Sequence, residues 1–169
     1  MSQPGTDSTG AAFMSAPLNL EQTYVKFWAV RGASRSVQIN YKTSHDSTSQ
    51  PFLLLTTTDP RWVPDIGWLA MGDSVLIAVK VDTRQLKVSL EPTGLQFGAP
   101  ATLTLWYGGA DTTTDTDDLD LDLFYREDHK HSWTELGATQ SLVEKSFTYN
   151  IPHFSDYAIA ELNEWTVGW

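Results

Sequence analysis

The chain has 169 residues, 21 Asp and Glu against 11 Lys and Arg for a net charge of −10, 12% aromatic residues, seven tryptophans and no cysteine. Such a chain is one domain able to bury a full apolar core, and its aromatic content excludes a disordered polymer. The charge argues against nucleic acid and anionic lipid as partners, since both need clustered cations, and the missing cysteine removes disulfides, thiolate metal sites and cysteine nucleophiles together.

The charge is also unevenly divided. Residues 1–90 carry eight Lys and Arg against seven Asp and Glu, while residues 91–169 carry three against fourteen. The first twenty residues, "MSQPGTDSTGAAFMSAPLNL", have only Phe13, Met14, Leu18 and Leu20 as large apolar side chains. They are expected to form an arm with no core of its own, ordered only when another surface covers it, with Phe13 and Met14 as its anchors. The arm has neither the basic n-region nor the long apolar core of a signal peptide. The densest apolar run of the chain, "PFLLL", falls far short of the roughly 18 residues of a membrane span.

From residue 21 to 162 the dominant period is two. Strands are expected near 24–30, 35–43, 52–57, 74–82, 86–91, 101–107, 119–126, 132–136, 145–151 and 156–162. Val37, Ile39 and Tyr41 share one face of the second of these, and Val75, Ile77, Val79 and Val81 one face of the fourth. Trp28, in the first, is expected to associate with the core. Segments of five to nine residues divided by Gly-, Pro- and Asp-rich turns predict an antiparallel β-sandwich of about ten strands, all-β in class. "DPRWVPDIGWLAMGD", residues 59–73, holds two prolines and two glycines, so it reads as a long structured connection. Trp62 and Trp68 lie in it. Residues 163–169 form a short tail bearing Trp165 and Trp169. Aromatic residues on irregular segments are what interfaces use as anchors, which makes these four tryptophans, with Phe13 and Met14, the candidate partner-binding residues.

Three stretches invite a chemical reading. The first, "DTTTDTDDLDLDLFYRED", has six aspartates between Asp111 and Asp122. An EF-hand loop beginning at Asp118 would put Leu123 at the glycine position and His129 at the glutamate position, and both fail. Strict Asp–Leu alternation instead means an extended chain with Leu119, Leu121 and Leu123 inward. Carboxylates two apart on a strand are about 6.5 Å or more from each other, too far for one ion. The stretch is expected to be an acidic turn entering a strand. Asp111, Asp115 and Asp117 in that turn are free to curl round a cation and are the weak Ca²⁺ candidate.

The second stretch, "EDHKHSW", sets Lys130 between His129 and His131, which opposes a divalent ion. The third, "PHFSDY", offers His153, Ser155 and Asp156. Neighbouring side chains on a strand point to opposite faces, so these are not expected to work as a triad. His153 and Ser155 share a face and are expected to make a local, fold-closing hydrogen bond. No phosphate loop, nucleophile elbow or metalloprotease helix is present in the sequence, and neither a catalytic group nor a cofactor is expected.

Pro92, Gly94, Phe97 and Pro100 before a strand, the unit from Leu123 to Trp133, and the closing His153-Phe154-Ser155-x-Tyr157 come in a recognisable order. Over about residues 72–160 they resemble the ZU-five-type β-sandwich domain of ankyrins and netrin receptors, and more closely its stand-alone bacterial relatives. The resemblance implies a non-catalytic interaction module, extracytoplasmic in location. By residue chemistry, Pro92 and Gly94 suit a turn, Pro100 suits the start of a strand, and Trp133 and Phe154 suit the core.

The expected function is that of an accessory subunit docked to other protein subunits in a larger, membrane-associated complex, respiratory or photosynthetic for instance. A self-assembling surface protein using strand addition is one alternative. A carbohydrate-binding module with Trp62, Trp68 or Trp165 as sugar platforms is another. Millimolar Ca²⁺ or a chelator is expected to move the melting temperature by less than about 5 °C. A larger Ca²⁺-dependent rise that vanishes when Asp111, Asp115 and Asp117 become Asn would establish a cation site.

Overall fold

The structure, a computed structural model, describes residues 11–13, 18–42, 50–109, 120–127 and 132–162, with backbone only for 11–13 and 162. In chain order the strands are β1 (Ala11–Phe13), β2 (Tyr24–Val30), β3 (Arg35–Asn40), β4 (Pro51–Thr57), β5 (Pro60–Val63), β6 (Gly67–Trp68) and β7 (Ser74–Asp82). They continue with β8 (Lys87–Glu91), β9 (Gln96–Trp106), β10 (Leu121–Arg126), β11 (Thr134–Glu135), β12 (Thr139–Ser141), β13 (Ser146–His153) and β14 (Asp156–Leu162). The described residues contain no helix.

All ten strands expected from the alternation are present. The four additional ones, β1, β5, β6 and β12, are two to four residues long, too short to display a period of two. Two of them, β5 and β6, form a hairpin inside the stretch that reads from sequence as a connection, with Trp62 opposite Trp68 and Val63 opposite Gly67.

The strands make two antiparallel sheets of seven. One runs β11-β10-β14-β8-β7-β2, with β1 on β14; the other runs β12-β13-β9-β4-β3, with the β5–β6 hairpin on β9. The two share a single apolar core. Val75, Ile77, Val79, Val88, Leu123 and Ile159 enter it from the first sheet, and Ile39, Leu53, Leu55, Leu103, Leu105 and Phe147 from the second. The alternation seen in sequence is the alternation of burial: Leu121 and Leu123 are buried while Asp120 is exposed and Asp122 half-buried.

Part of the N-terminal arm belongs to the first sheet. β8 covers β14 at residues 156–158, and β1 takes up the same side of β14 at residues 160–162, with Phe13 opposite Ala160. The chain then passes the β7–β8 turn, where the Leu18 N–H donates to the Thr83 carbonyl at 2.8 Å, and Leu18 and Leu20 are buried.

Pro100 lies inside β9 rather than at its start. Gln96 and Phe97 pair with β5, whereas the strand from Ala101 onward pairs with β13, and the register of β13 shifts between Ile151 and His153. The missing N–H of Pro100 thus falls where the ladder is already interrupted.

Residues 31–34 join edge strand β2 of the first sheet to edge strand β3 of the second and form a seam between them. Bonds between Arg31 and Asp73 and between Thr23 and Val81 show that odd-numbered positions of β2 exchange hydrogen bonds with β7. The backbone groups of Tyr24, Lys26 and Trp28 therefore face the edge of the sheet, where no described strand pairs with them. Arg35 of β3 covers part of it, donating from Nη1 to the Trp28 carbonyl at 3.0 Å with its guanidinium over the Phe27 ring.

Next to this seam, Asp59 binds Arg31 Nη1 at 2.7 Å and Arg61 Nε at 2.8 Å and accepts a bond from the Gly32 N–H. Burial opposes the charge of Asp59. The Gly32 bond and the Arg61 and Arg31 guanidinium groups outweigh it and hold the carboxyl below its usual value. A carboxyl depressed in the folded state stabilises above its unfolded pKa, and that contribution is lost as pH falls through the folded value. Asp59→Asn is expected to lower the melting temperature at pH 7 by about 2–4 °C, the effect of roughly 1 kcal/mol in a chain of this size. The gap between variant and wild type should close as the pH drops below about 4, which thermal melts across pH 2–7 would show.

Candidate functional site

Two segments carry the chain from one sheet to the other side by side. Residues 91–96 leave β8 for β9, and residues 153–156 return from β13 to β14. Backbone groups at such a crossing lose their ladder partners and need others. Here each segment supplies the other: Gly94 N–H donates to the Phe154 carbonyl at 3.0 Å, Phe154 N–H to Leu95 at 3.1 Å, and Leu90 N–H to Ser155 at 3.1 Å. Leu95 and Phe154 fill the core beneath, with Phe97 edge-on to Phe154 at 5.2 Å. Gly94 has φ +85°, and a Cβ there would lie 2.8 Å from Cγ of Pro64 in the β5–β6 hairpin, so its bare backbone lets the hairpin seat itself.

Between hairpin and crossing lies an open cleft of about 250 Å³ lined by Trp62, Thr93, Gln96, Glu127 and His153, with Gly94, Phe154 and Ser155 in its floor and walls. Trp62 is half-buried there, and its register partner Trp68 is 77% exposed. The expected local bond is present, His153 Nδ1 to Ser155 Oγ at 3.1 Å, and the Tyr157 hydroxyl donates to the His153 carbonyl at 3.1 Å. Burial pushes the Tyr157 phenol far above its usual value and keeps it a donor. Ser155 is only 1% exposed, and Asp156 is ion-paired with Arg126 at 3.1 Å. The arrangement closes a turn; it does not present a nucleophile to solvent.

Asp111, Asp115 and Asp117 lie outside the described residues, as do His129 and His131. Asp122 on the outward face of β10, and Asp120 just before that strand, stand near Glu135 of β11. Burial, then the neighbouring carboxylates of Asp122 and Asp120, raise the Glu135 carboxyl above its ordinary value. Among the described residues no three His, Asp or Glu groups are placed to hold a metal ion. Of the arm and tail anchors, only the backbone of Phe13 is described; Met14, Trp165 and Trp169 lie outside the described residues.

The outer face of the first sheet has two unlike halves. Over β10 and β14, Trp133 is 3% exposed and packs with Phe124, Ala158 and Ala160, the Arg126 guanidinium lying 4.5 Å from its ring. Over β2 and β7, Trp28 is 54% exposed beside its register partner Leu76, with Tyr24 on the same face under Lys26 and Lys80. This corrects the expectation for Trp28. Both faces of β2 carry large apolar groups, and the inward one is that of Val25, Phe27 and Ala29. The exposed face and the cleft residues Thr93 and Gln96 escaped sequence reasoning; Lys26, set between Tyr24 and Trp28, was the signal for the former.

In comparisons with known proteins the chain matches no family model, no curated protein and no solved structure.

Gly94→Ala is expected to cost about 1–3 kcal/mol, from the strained φ and the collision with Pro64, read as a lower midpoint in urea unfolding. Pro64→Ala in the same chain should recover part of the loss, since it removes the collision and leaves the strain.

Proposed function

We propose that this protein is a non-catalytic interaction module, a β-sandwich in which the two sheets pack face to face. It acts as an accessory subunit docked to another protein through the outer face of β2 and β7. The observation that carries this reading is the contrast across one sheet. Half of the outer face is covered by the chain's own Trp133, while the other half leaves Trp28, Tyr24 and Leu76 in solvent. Contiguous aromatic and aliphatic groups on a rigid sheet, with charges at the rim, are what docking surfaces use as anchors. Lys26 stands between Tyr24 and Trp28, and Lys80, paired with Glu91 at 3.1 Å, stands beside Tyr24, so the complementary partner surface brings a carboxylate to Lys26. The burial of Ser155 and its bond to His153 favour a structural role for the one stretch that suggests a triad.

The Pro92–Phe97 and His153–Tyr157 segments, on which the resemblance to ZU-five-type domains is read, lie side by side at the crossing. An extracytoplasmic, membrane-associated setting follows from that resemblance alone. Native electrophoresis of source-cell extracts tests the docking surface. The wild-type chain should migrate in an assembly much larger than itself, and Trp28→Ser with Leu76→Ser should release it. Wild-type protein that migrates free, or a double variant that stays bound, overturns the proposal. Multimers of the purified chain alone would favour strand addition between copies instead.

A further inference from the structure

The cleft at the sheet crossing lies apart from the β2–β7 surface and has a chemistry of its own. Trp62 and Trp68 are direct partners across the β5–β6 hairpin, so their side chains leave the ribbon on the same face. Trp62 lines the cleft, and Trp68, on the same face of the hairpin, is exposed. Gln96 is the register partner of Trp62 on β9, and His153 that of Gln96 on β13. With them the cleft is lined by the Thr93 hydroxyl and the Glu127 carboxylate, and the Thr93 hydroxyl, the Gln96 amide and Nε2 of His153 make no hydrogen bond with any described residue. No lysine or arginine among the described residues lines the space, which disfavours phosphates, sulfates and uronic acids.

An apolar ring face beside a fringe of uncharged donors and acceptors and one carboxylate matches a molecule with an apolar C–H face and a rim of hydroxyls. We infer that this cleft binds one ring of a neutral hexopyranose chain, stacked on Trp62 and running out over Trp68, with its hydroxyls bonded to Gln96, Thr93, His153 and Glu127. The volume of about 250 Å³ is below the roughly 300–1,000 Å³ of pockets that enclose a whole drug-sized ligand. The site therefore holds a single sugar unit and leaves the rest of the chain in solvent. Its affinity should be low, with a Kd of about 10 μM to 1 mM.

Calorimetric titration of the full chain with cellohexaose and with maltohexaose tests this. At least one should bind in that range. Trp62→Ala and Trp68→Ala should each weaken binding about tenfold or more, and Gln96→Ala about threefold, while Trp28→Ala leaves it unchanged. Trp68 and Gln96 are exposed, so their variants carry the test even if Trp62→Ala fails to fold. The inference falls if neither sugar binds at about 10 mM, if the Trp68 and Gln96 variants bind like wild type, or if Trp28→Ala abolishes binding. It also falls if tetramethylammonium occupies the cleft more tightly than either sugar, which would make it a cation site. Because the docking surface is separate, either proposal can fail without the other.

Discussion

A chain that changes sheets must take its backbone through the end of the core, where the ladder can no longer satisfy it. Here two such passages lie against each other and exchange the bonds they would otherwise lack, Gly94 and Leu95 with Phe154, and Leu90 with Ser155. Much else depends on this arrangement. It brings Phe154 and Leu95 into the core as plugs, and it fixes β9 and β13 relative to β8 and β14. It also needs a residue without a side chain at position 94, and the β5–β6 hairpin rests on that opening. The cleft is the space left between hairpin and crossing.

The two proposed recognition surfaces rest on different physics. The face of β2 and β7 is open, aromatic and set with lysines, suited to a broad protein contact. The cleft is small and fringed by polar groups that include one carboxylate and no cation among the described residues, suited to a narrow ligand. Neither requires a moving part.

Much of the fold was legible in the sequence, because burial on one face of a strand writes itself as alternation. Val75 to Val81 and Leu121 to Leu123 give their orientation directly. Legibility failed where that signal fails. The strands of the β5–β6 hairpin are too short to alternate, and their prolines speak against a sheet. In β2 both faces are apolar, so only Lys26 marks the outer one. The cleft was hidden for another reason: Trp62, Gln96, Glu127 and His153 come from four distant segments, and no local pattern says that β5 lies beside β9. The His153–Ser155 bond was readable because it spans two residues and needs only strand geometry.

The shield over the edge of β2 has a consequence of its own. A sheet edge with open N–H and C=O groups is a template on which further strands can stack. The guanidinium of Arg35 occupies the Trp28 carbonyl and roofs the Phe27 ring. A roof made of one side chain can swing aside without any strand leaving its sheet. The colloidal stability of the protein is thus separable from its thermodynamic stability. Fully folded molecules can then cluster edge to edge, and the place where one arginine lies contributes to their resistance at the Trp28 end of that edge.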